Sequence, residues 1–300
     1  MKTEMRNGNP MSKEQTGQLS RRLMTLVIAV LAGLSWLHQT NNCSAQGTSN
    51  TASSDEQTQA DKKDTPTGKE SSDRPRPVEE ARNSYLGRVL AKPMSHLGAP
   101  WLIRPEREDE EQASESFKQL EIAEGMSVCD LGCGNGYWTL PMARDVGEDG
   151  RVYAVDIQRE MLQKLRQRSS KYKLNNIEPV LGEVDDPNLP ADKLDLVLMV
   201  DVYHEFSHPE SMLWGIRRSL NSKGVVALLE YREEDPRVPI KPLHKMSKRQ
   251  IMKEYSANGF KLVREYNKLP WQHLMFFARD DSPLEKIEPV PAQQVLKDLE

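Results

Sequence analysis

Asp130-Leu131-Gly132-Cys133-Gly134-Asn135-Gly136 stands where a short apolar run gives way to a helical pattern. Alternate glycines permit a tight turn with positive φ and present backbone amides to a ligand at a helix start. As a bare turn the triplet carries no chemistry, but its context adds to it. Met126 to Leu131 leads into the loop, and an acid, Asp156, ends the next apolar run 20 residues after Gly136. A carboxylate at that distance reaches the ribose hydroxyls of a nucleoside held by the loop. Gly132, Gly134, Gly136 and Asp156 are therefore candidate cofactor-binding residues.

Spacing selects among nucleosides. A dinucleotide fingerprint, G-x-G-x-x-G, needs glycine at Tyr137, whereas the chain reads G-x-G-x-G with Asp130 two residues before the first glycine. A pyrophosphate gains little from a carboxylate beside the loop, while the ammonium of a methionine-like tail gains an attractive partner. S-adenosyl-L-methionine fits better than NAD, and Asp130 joins the candidates.

The elements that must position these residues follow from periodicity. Met126–Leu131, Val152–Val155, Leu194–Val200 and Val225–Leu229 are continuous apolar runs, the mark of strands covered on both faces. Between them Met161, Leu162 and Leu165 share one helical face, as do Met212, Leu213, Ile216 and Leu220. Turn signals fall at Gly147–Gly150 and at Asn221–Gly224, the latter expected to precede the fifth strand. Strands alternating with helices predict an α/β fold, a doubly wound, mostly parallel sheet. Two strands near Phe260–Glu265 and Leu274–Ala278, joined through Leu269-Pro270, predict a C-terminal antiparallel hairpin.

On these motifs the chain resembles the class I S-adenosylmethionine-dependent methyltransferases over roughly Ala81 to Ala278. The resemblance implies a seven-stranded Rossmann-like sheet and S-adenosyl-L-methionine as cofactor. It implies that Gly182-Glu183-Val184-Asp185-Asp186 holds adenine, through the acid Glu183 and the neighbouring amide of Val184. It also implies that Asp201, opening Asp201-Val202-Tyr203-His204-Glu205-Phe206, lies against the methionine moiety. Small-molecule methyltransferases of quinone biosynthesis are distantly similar. A group of bacterial methyltransferase-domain proteins shares Gly98-Ala99-Pro100-Trp101 and Pro270-Trp271-Gln272-His273.

Methyl transfer from a sulfonium is an in-line displacement, so the protein must chiefly align the acceptor and exclude water. A base is required where the acceptor carries a proton to lose. His204 is the first candidate for base or acceptor-orienting group and Glu205 the second, with packing at the strand end as the alternative. Tyr203 is expected to pack. The proline-rich segment Pro236–His244 is a candidate wall of the acceptor pocket or a rigid crossover, and Trp101, Arg104 and Arg107 a candidate lid or surface packing. Trp271 and His273 are expected to serve core and edge. Cys129 and Cys133 are expected as buried small residues, not a disulfide. The six histidines form no ligand-spaced set with cysteine, His204-x3-His208 coming nearest, so no metal site is expected.

The ends of the chain differ in kind. Leu23–Leu37 is an uncharged run preceded by Arg21-Arg22, with small residues at Cys43-Ser44-Ala45. Residues 1–45 are thus expected to be a signal peptide directing export to a periplasmic or other extracytoplasmic space, or an uncleaved signal anchor tethering the chain to a membrane. From Gln46 to Glu80 only Ala52, Ala60 and Val78 are apolar, which predicts a disordered linker over 46–80. The folded domain is expected over 81–281 and a flexible tail, with at most a short helix, over 282–300. A formal charge of −4 argues against a general nucleic-acid partner. The expected partner is a small-molecule acceptor. The rival functions are a non-catalytic S-adenosylmethionine-binding module and an NAD(P)-type oxidoreductase.

Overall fold

A computed structural model describes residues 82–300. The expected signal and linker segments, residues 1–80, lie outside the described residues. A two-residue antiparallel pair, Ser84–Tyr85 with Arg88–Val89, and a 3-10 helix at His96–Ile103 precede two short helices, α1 (Arg107–Glu111) and α2 (Ala113–Lys118). The sheet then begins. Its strands are β1 (Ser127–Leu131), β2 (Arg151–Asp156), β3 (Ile177–Leu181), β4 (Leu194–Val200), β5 (Leu220–Tyr231), β6 (Phe260–Tyr266) and β7 (Gln272–Arg279). Helices α3 (Thr139–Asp145), α4 (Arg159–Tyr172), α5 (Pro209–Ser219) and α6 (Lys248–Ala257) connect them, and α7 (Ala292–Asp298) follows.

The seven strands lie in the order β3-β2-β1-β4-β5-β7-β6. β1 to β5 pair in parallel, and β7 runs antiparallel to both β5 and β6. This is the doubly wound, mostly parallel sheet with a C-terminal antiparallel hairpin that the alternation of patterns implies. Strand order reverses between β1 and β4, the switch point at which ligands bind outside the carboxyl ends of such strands.

The apolar runs are continuous because both faces of the sheet are covered. Cys129, Leu131, Val197 and Met199 pack on one side with Met212, Leu213 and Ile216 of α5 and Tyr255 of α6. Val128, Leu196, Leu198 and Leu229 pack on the other with Trp138, Met142 and Ala143. Successive residues of β4 therefore serve opposite layers, the period-two rule applied to a strand with no wet face.

Two expectations change. Asn221–Gly224 lies inside β5, not before it, because Leu194 pairs with Leu220 while Leu196 pairs with Val225. The turn-forming residues make a bulge, held where Asn221 Nδ2 donates to Asp195 Oδ1 (2.7 Å). The C-terminal segment is tied down rather than loose. Val295 on α7 is buried, the Ile287 amide donates to Leu262 O (2.9 Å), and Lys248 Nζ donates to Val290 O (2.8 Å). Among the described residues no helix is long and apolar enough to cross a membrane.

Candidate active site

The glycine loop turns out of β1 at the switch point. Gly132, Gly134 and Gly136 all take positive φ (+76°, +53°, +84°). At Gly134 the requirement is twofold, since an added Cβ would also lie 2.6 Å from Leu102 of the 3-10 segment. Amides of Gly132 and Cys133 donate to Val155 O at 2.8 and 2.9 Å, which locks the loop to β2. Asp156 closes the same corner: its carboxylate accepts from the Gly134 amide (3.0 Å) and the Gln158 amide (2.8 Å).

The segment before the sheet folds over this corner. The His96 amide donates to Gln158 Oε1 (2.7 Å), Gln158 Nε2 donates to Met94 O (2.8 Å), and Asn135 Nδ2 donates to Ala99 O (2.9 Å). The expected lid residues continue it. Arg104 stacks over Trp101 and pairs with Glu110 and Glu111, and Arg107 pairs with Glu111. Tyr231 Oη, at the end of β5, donates to Glu111 Oε1 (2.8 Å) and fastens α1 to the sheet rim.

Electrostatics set this rim apart. Burial raises the Asp130 carboxyl to about 6, opposed by the Thr139 hydroxyl donating to it. Asp156 is also raised by burial, against the two amides that it accepts from. Asp201, after β4, is pushed well above the carboxylate range by burial, with Glu111 and Glu230 adding to the shift and Arg107 opposing it. Asp201 takes a left-handed φ of +52°, and both its oxygens accept from Gln272 Nε2 (3.0 and 2.9 Å). Three desolvated acids around one glycine corner favour a cationic ligand and disfavour a pyrophosphate.

Beyond β4, His204 is buried at 1% exposure. Its Nδ1 lies 2.6 Å from Glu230 Oε2, and its amide donates to Glu230 Oε1 (3.2 Å). Burial pulls the imidazole down, but Glu230, with Glu205 and Asp201 behind it, makes the net shift upward. On the far side His204 Nε2 faces His244 Nδ1 at 3.0 Å, and His244 Nδ1 lies 3.8 Å from Glu205 Oε1. Burial lifts Glu205 to about 7, while burial and the neighbouring His204 lower His244 to about 4. The loop Pro236–His244 thus reaches the rim, as a pocket wall must.

A family model described as a methyltransferase domain matches residues 122–277, just over half of the chain. The chain belongs to the methyltransferase-domain family. It is 35% identical to the aklanonic acid methyltransferase of Streptomyces sp. (strain C5) over 26% of this chain and 36% of that protein. It is 25% identical to the demethylmenaquinone methyltransferase of Geobacillus sp. (strain WCH70) over 56% of this chain and 71% of that protein. The chain thus spans about a third of the length of the first relatives, 36% and 35%. A crystal structure of a SAM-dependent methyltransferase from Aquifex aeolicus matches in fold with TM-score 0.58 at 24% identity, over 62% of this chain and 98% of that one.

Membership of this methyltransferase family implies S-adenosyl-L-methionine as cofactor, and the residues fit it. Asp156 is a buried acceptor bonded by amides alone. Ile157, next to it in the chain, leaves apolar surface exposed (41%), which suits a planar base. Asp130 and Asp201 place buried carboxyl groups by the glycine corner, and a bound sulfonium and ammonium would favour their ionised forms.

Not every expected residue converges. Glu183 is exposed, and it is the Gly182 amide that meets Asp156, at its carbonyl (3.2 Å). Tyr203 packs, with its hydroxyl donating to Glu254 Oε2 (2.7 Å), and His273 is buried with Nε2 3.0 Å from Glu234. Cys129 and Cys133 are free and buried. The expectation of no ligand-spaced histidines holds only along the chain: His204, Glu205 and His244 bring one ligand atom each within 4.8 Å of one another. His208 meets Ser207 instead. The sequence placed Glu230 at the end of the fifth strand, on the same edge as His204, but assigned no site role to it, to Gln158 or to Gln272. For Glu230 a signal existed, a carboxylate closing the apolar run Val225–Leu229.

Proposed function

We propose that this methyltransferase-domain protein transfers a methyl group in line to a small-molecule acceptor. One observation carries the reading. The buried pair His204–Glu230 stands at the same carboxyl rim of the sheet as the glycine corner. When bound, S-adenosyl-L-methionine supplies a methyl group already activated on a sulfonium. The chain supplies the rest. Asp156, held by the Gly134 and Gln158 amides, holds the nucleoside end, Asp130 and Asp201 face the charged end, and the segment His96–Ile103 keeps water from the corner. Glu230 accepts from His204 Nδ1–H, which turns the Nε2 lone pair toward His244 Nδ1 (3.0 Å), and an acceptor that takes the place of this contact is oriented by Nε2 or gives it a proton. Two relatives named for methylating aklanonic acid and demethylmenaquinone support a small-molecule acceptor.

The test is metabolite profiling with labelled methyl donor and the purified full chain, alongside calorimetry. Label entering a small-molecule fraction, and lost in Asp156→Ala, is the expected result. Heat of binding without transfer to any fraction would instead assign a non-catalytic binding module. Tight NADH binding without S-adenosyl-L-methionine binding would assign an oxidoreductase.

We also propose that the chain is exported through Leu23–Leu37, supported by Arg21-Arg22 and the small residues Ser44-Ala45. N-terminal sequencing of the native protein is expected to begin near Gln46. Retention of Met1 or Met11 would replace export by a membrane tether.

A further inference from the structure

His204, Glu205 and His244 form a group that methyl transfer by itself does not require. Three ligand-type atoms of two imidazoles and one carboxylate lie within 4.8 Å of one another. The closest pair, His204 Nε2 and His244 Nδ1, is 3.0 Å apart, and Glu205 Oε1 is 3.8 Å from His244 Nδ1. With metal–nitrogen bonds of about 2.0–2.1 Å, nitrogens at that spacing subtend roughly a right angle at a shared ion. A tetrahedral ion would spread them by a few tenths of an ångström, within reach of the half-exposed His244. Two imidazoles and a carboxylate on one face, with the other positions open, is the arrangement by which proteins hold a first-row divalent cation for ligand exchange.

The surroundings match a ligand set as well. Metal-bound histidines donate their other ring N–H to a carboxylate, and Glu230, fully buried, stands 2.6 Å from His204 Nδ1. Ligating carboxylates are themselves hydrogen-bonded, and Glu205 Oε1 accepts from the Met94 amide at 3.1 Å. An entry path exists, because the His244 side chain is 32% exposed while that of His204 is 2%. The donors are mixed nitrogen and oxygen, which suits zinc, manganese or iron(II) and not magnesium or calcium. A plain hydrogen bond from His244 Nδ1–H to His204 Nε2 accounts for the 3.0 Å contact, but not for a carboxylate oxygen 3.8 Å from the same His244 nitrogen.

We propose that His204 Nε2, His244 Nδ1 and Glu205 bind one divalent transition-metal ion, Zn²⁺ in type, whose open positions take an oxygen atom of the methyl acceptor. The acceptor role rests on the methyltransferase reading, whereas the cation site stands on its own geometry. With the ion bound, the His204 lone pair is a ligand, and the acceptor is oriented by the ion.

The experiment uses the untagged full chain, stripped with chelator and titrated with Co²⁺ as the spectroscopic probe, then with competing Zn²⁺. Expected are saturable visible d–d absorption at one equivalent, its displacement by Zn²⁺, and at least a tenfold loss of affinity in both His244→Ala and Glu205→Gln. His244 sits in a partly exposed 3-10 turn, so His244→Ala keeps the fold, and circular dichroism checks this. Absence of saturable Co²⁺ uptake in the wild-type chain, or affinity unchanged in either variant, would overturn the site. Calorimetry with S-adenosyl-L-methionine on the same samples keeps the two readings apart. Donor binding without Co²⁺ uptake removes the cation alone, and Co²⁺ uptake without donor binding removes the methyltransferase reading.

Discussion

Asp130 shows what the site asks of single residues. Its carboxyl, 2% exposed, titrates near 6 instead of 3.8 because burial disfavours the anion. The folded state thus binds the proton more tightly than the unfolded chain. Stability from this group is complete below pH 4 and is lost as pH rises to about 6; a shift of that size is worth on the order of 3 kcal/mol. Asp130→Asn should therefore raise the melting temperature relative to wild type at pH 8. The advantage should vanish by pH 4 in thermal scans, and calorimetry should show weaker donor binding. A variant no more stable than wild type at pH 8 would contradict the desolvation argument. Gly134→Ala tests the loop: a left-handed φ of +53° costs an L-residue about 1–2 kcal/mol, with the Leu102 contact adding to it. Lower thermal stability and weaker donor affinity together are the expected outcome. Asp130, Gly134 and Asp156 were legible in the chain because local spacing encodes a turn and its acid. Glu230 was legible only as a carboxylate closing an apolar run, which says nothing of which side chain faces it.

At the scale of elements, the segment 94–103 is held to the glycine corner by few hydrogen bonds. Gln158 spans two of them, to Met94 O and the His96 amide, and Asn135 supplies a third to Ala99 O. Elements attached by few bonds open at low free energy. Gln158→Ala should accelerate amide exchange over residues 94–103 while leaving β1 and β4 protected, as read by hydrogen-exchange mass spectrometry. Unchanged exchange in that segment would mean that packing, not these bonds, closes the corner. The strands themselves were readable from their apolar runs; the position of β7 between β5 and β6 was not. Two adjacent apolar runs predict a hairpin, but which of its strands meets β5 depends on side-chain fit across the sheet. Likewise Asn221–Gly224 carries turn chemistry whether it ends a strand or bulges within one.

For the whole molecule, the domain joins a dry two-sided core to an acidic rim. A ligand that binds only the folded state stabilises it by mass action, about 2.7 kcal/mol at a hundred times its dissociation constant. For a domain of this size that is roughly 5–10 °C in melting temperature. S-adenosyl-L-methionine should produce such a rise in the full chain and NADH should not, by differential scanning fluorimetry. Equal shifts from both, or none from the sulfonium, would contradict the preference of this acidic rim for a cation.

Sequence alone determined the doubly wound class, the glycine corner and its acid, because each is written in local period and spacing. Tertiary structure alone decided who meets whom at the rim. His204 joins Glu230 across 26 residues and His244 across 40, and Asp201 joins Gln272 across 71. Contacts between strand ends depend on register and loop path, and a linear pattern of polar residues does not carry that information.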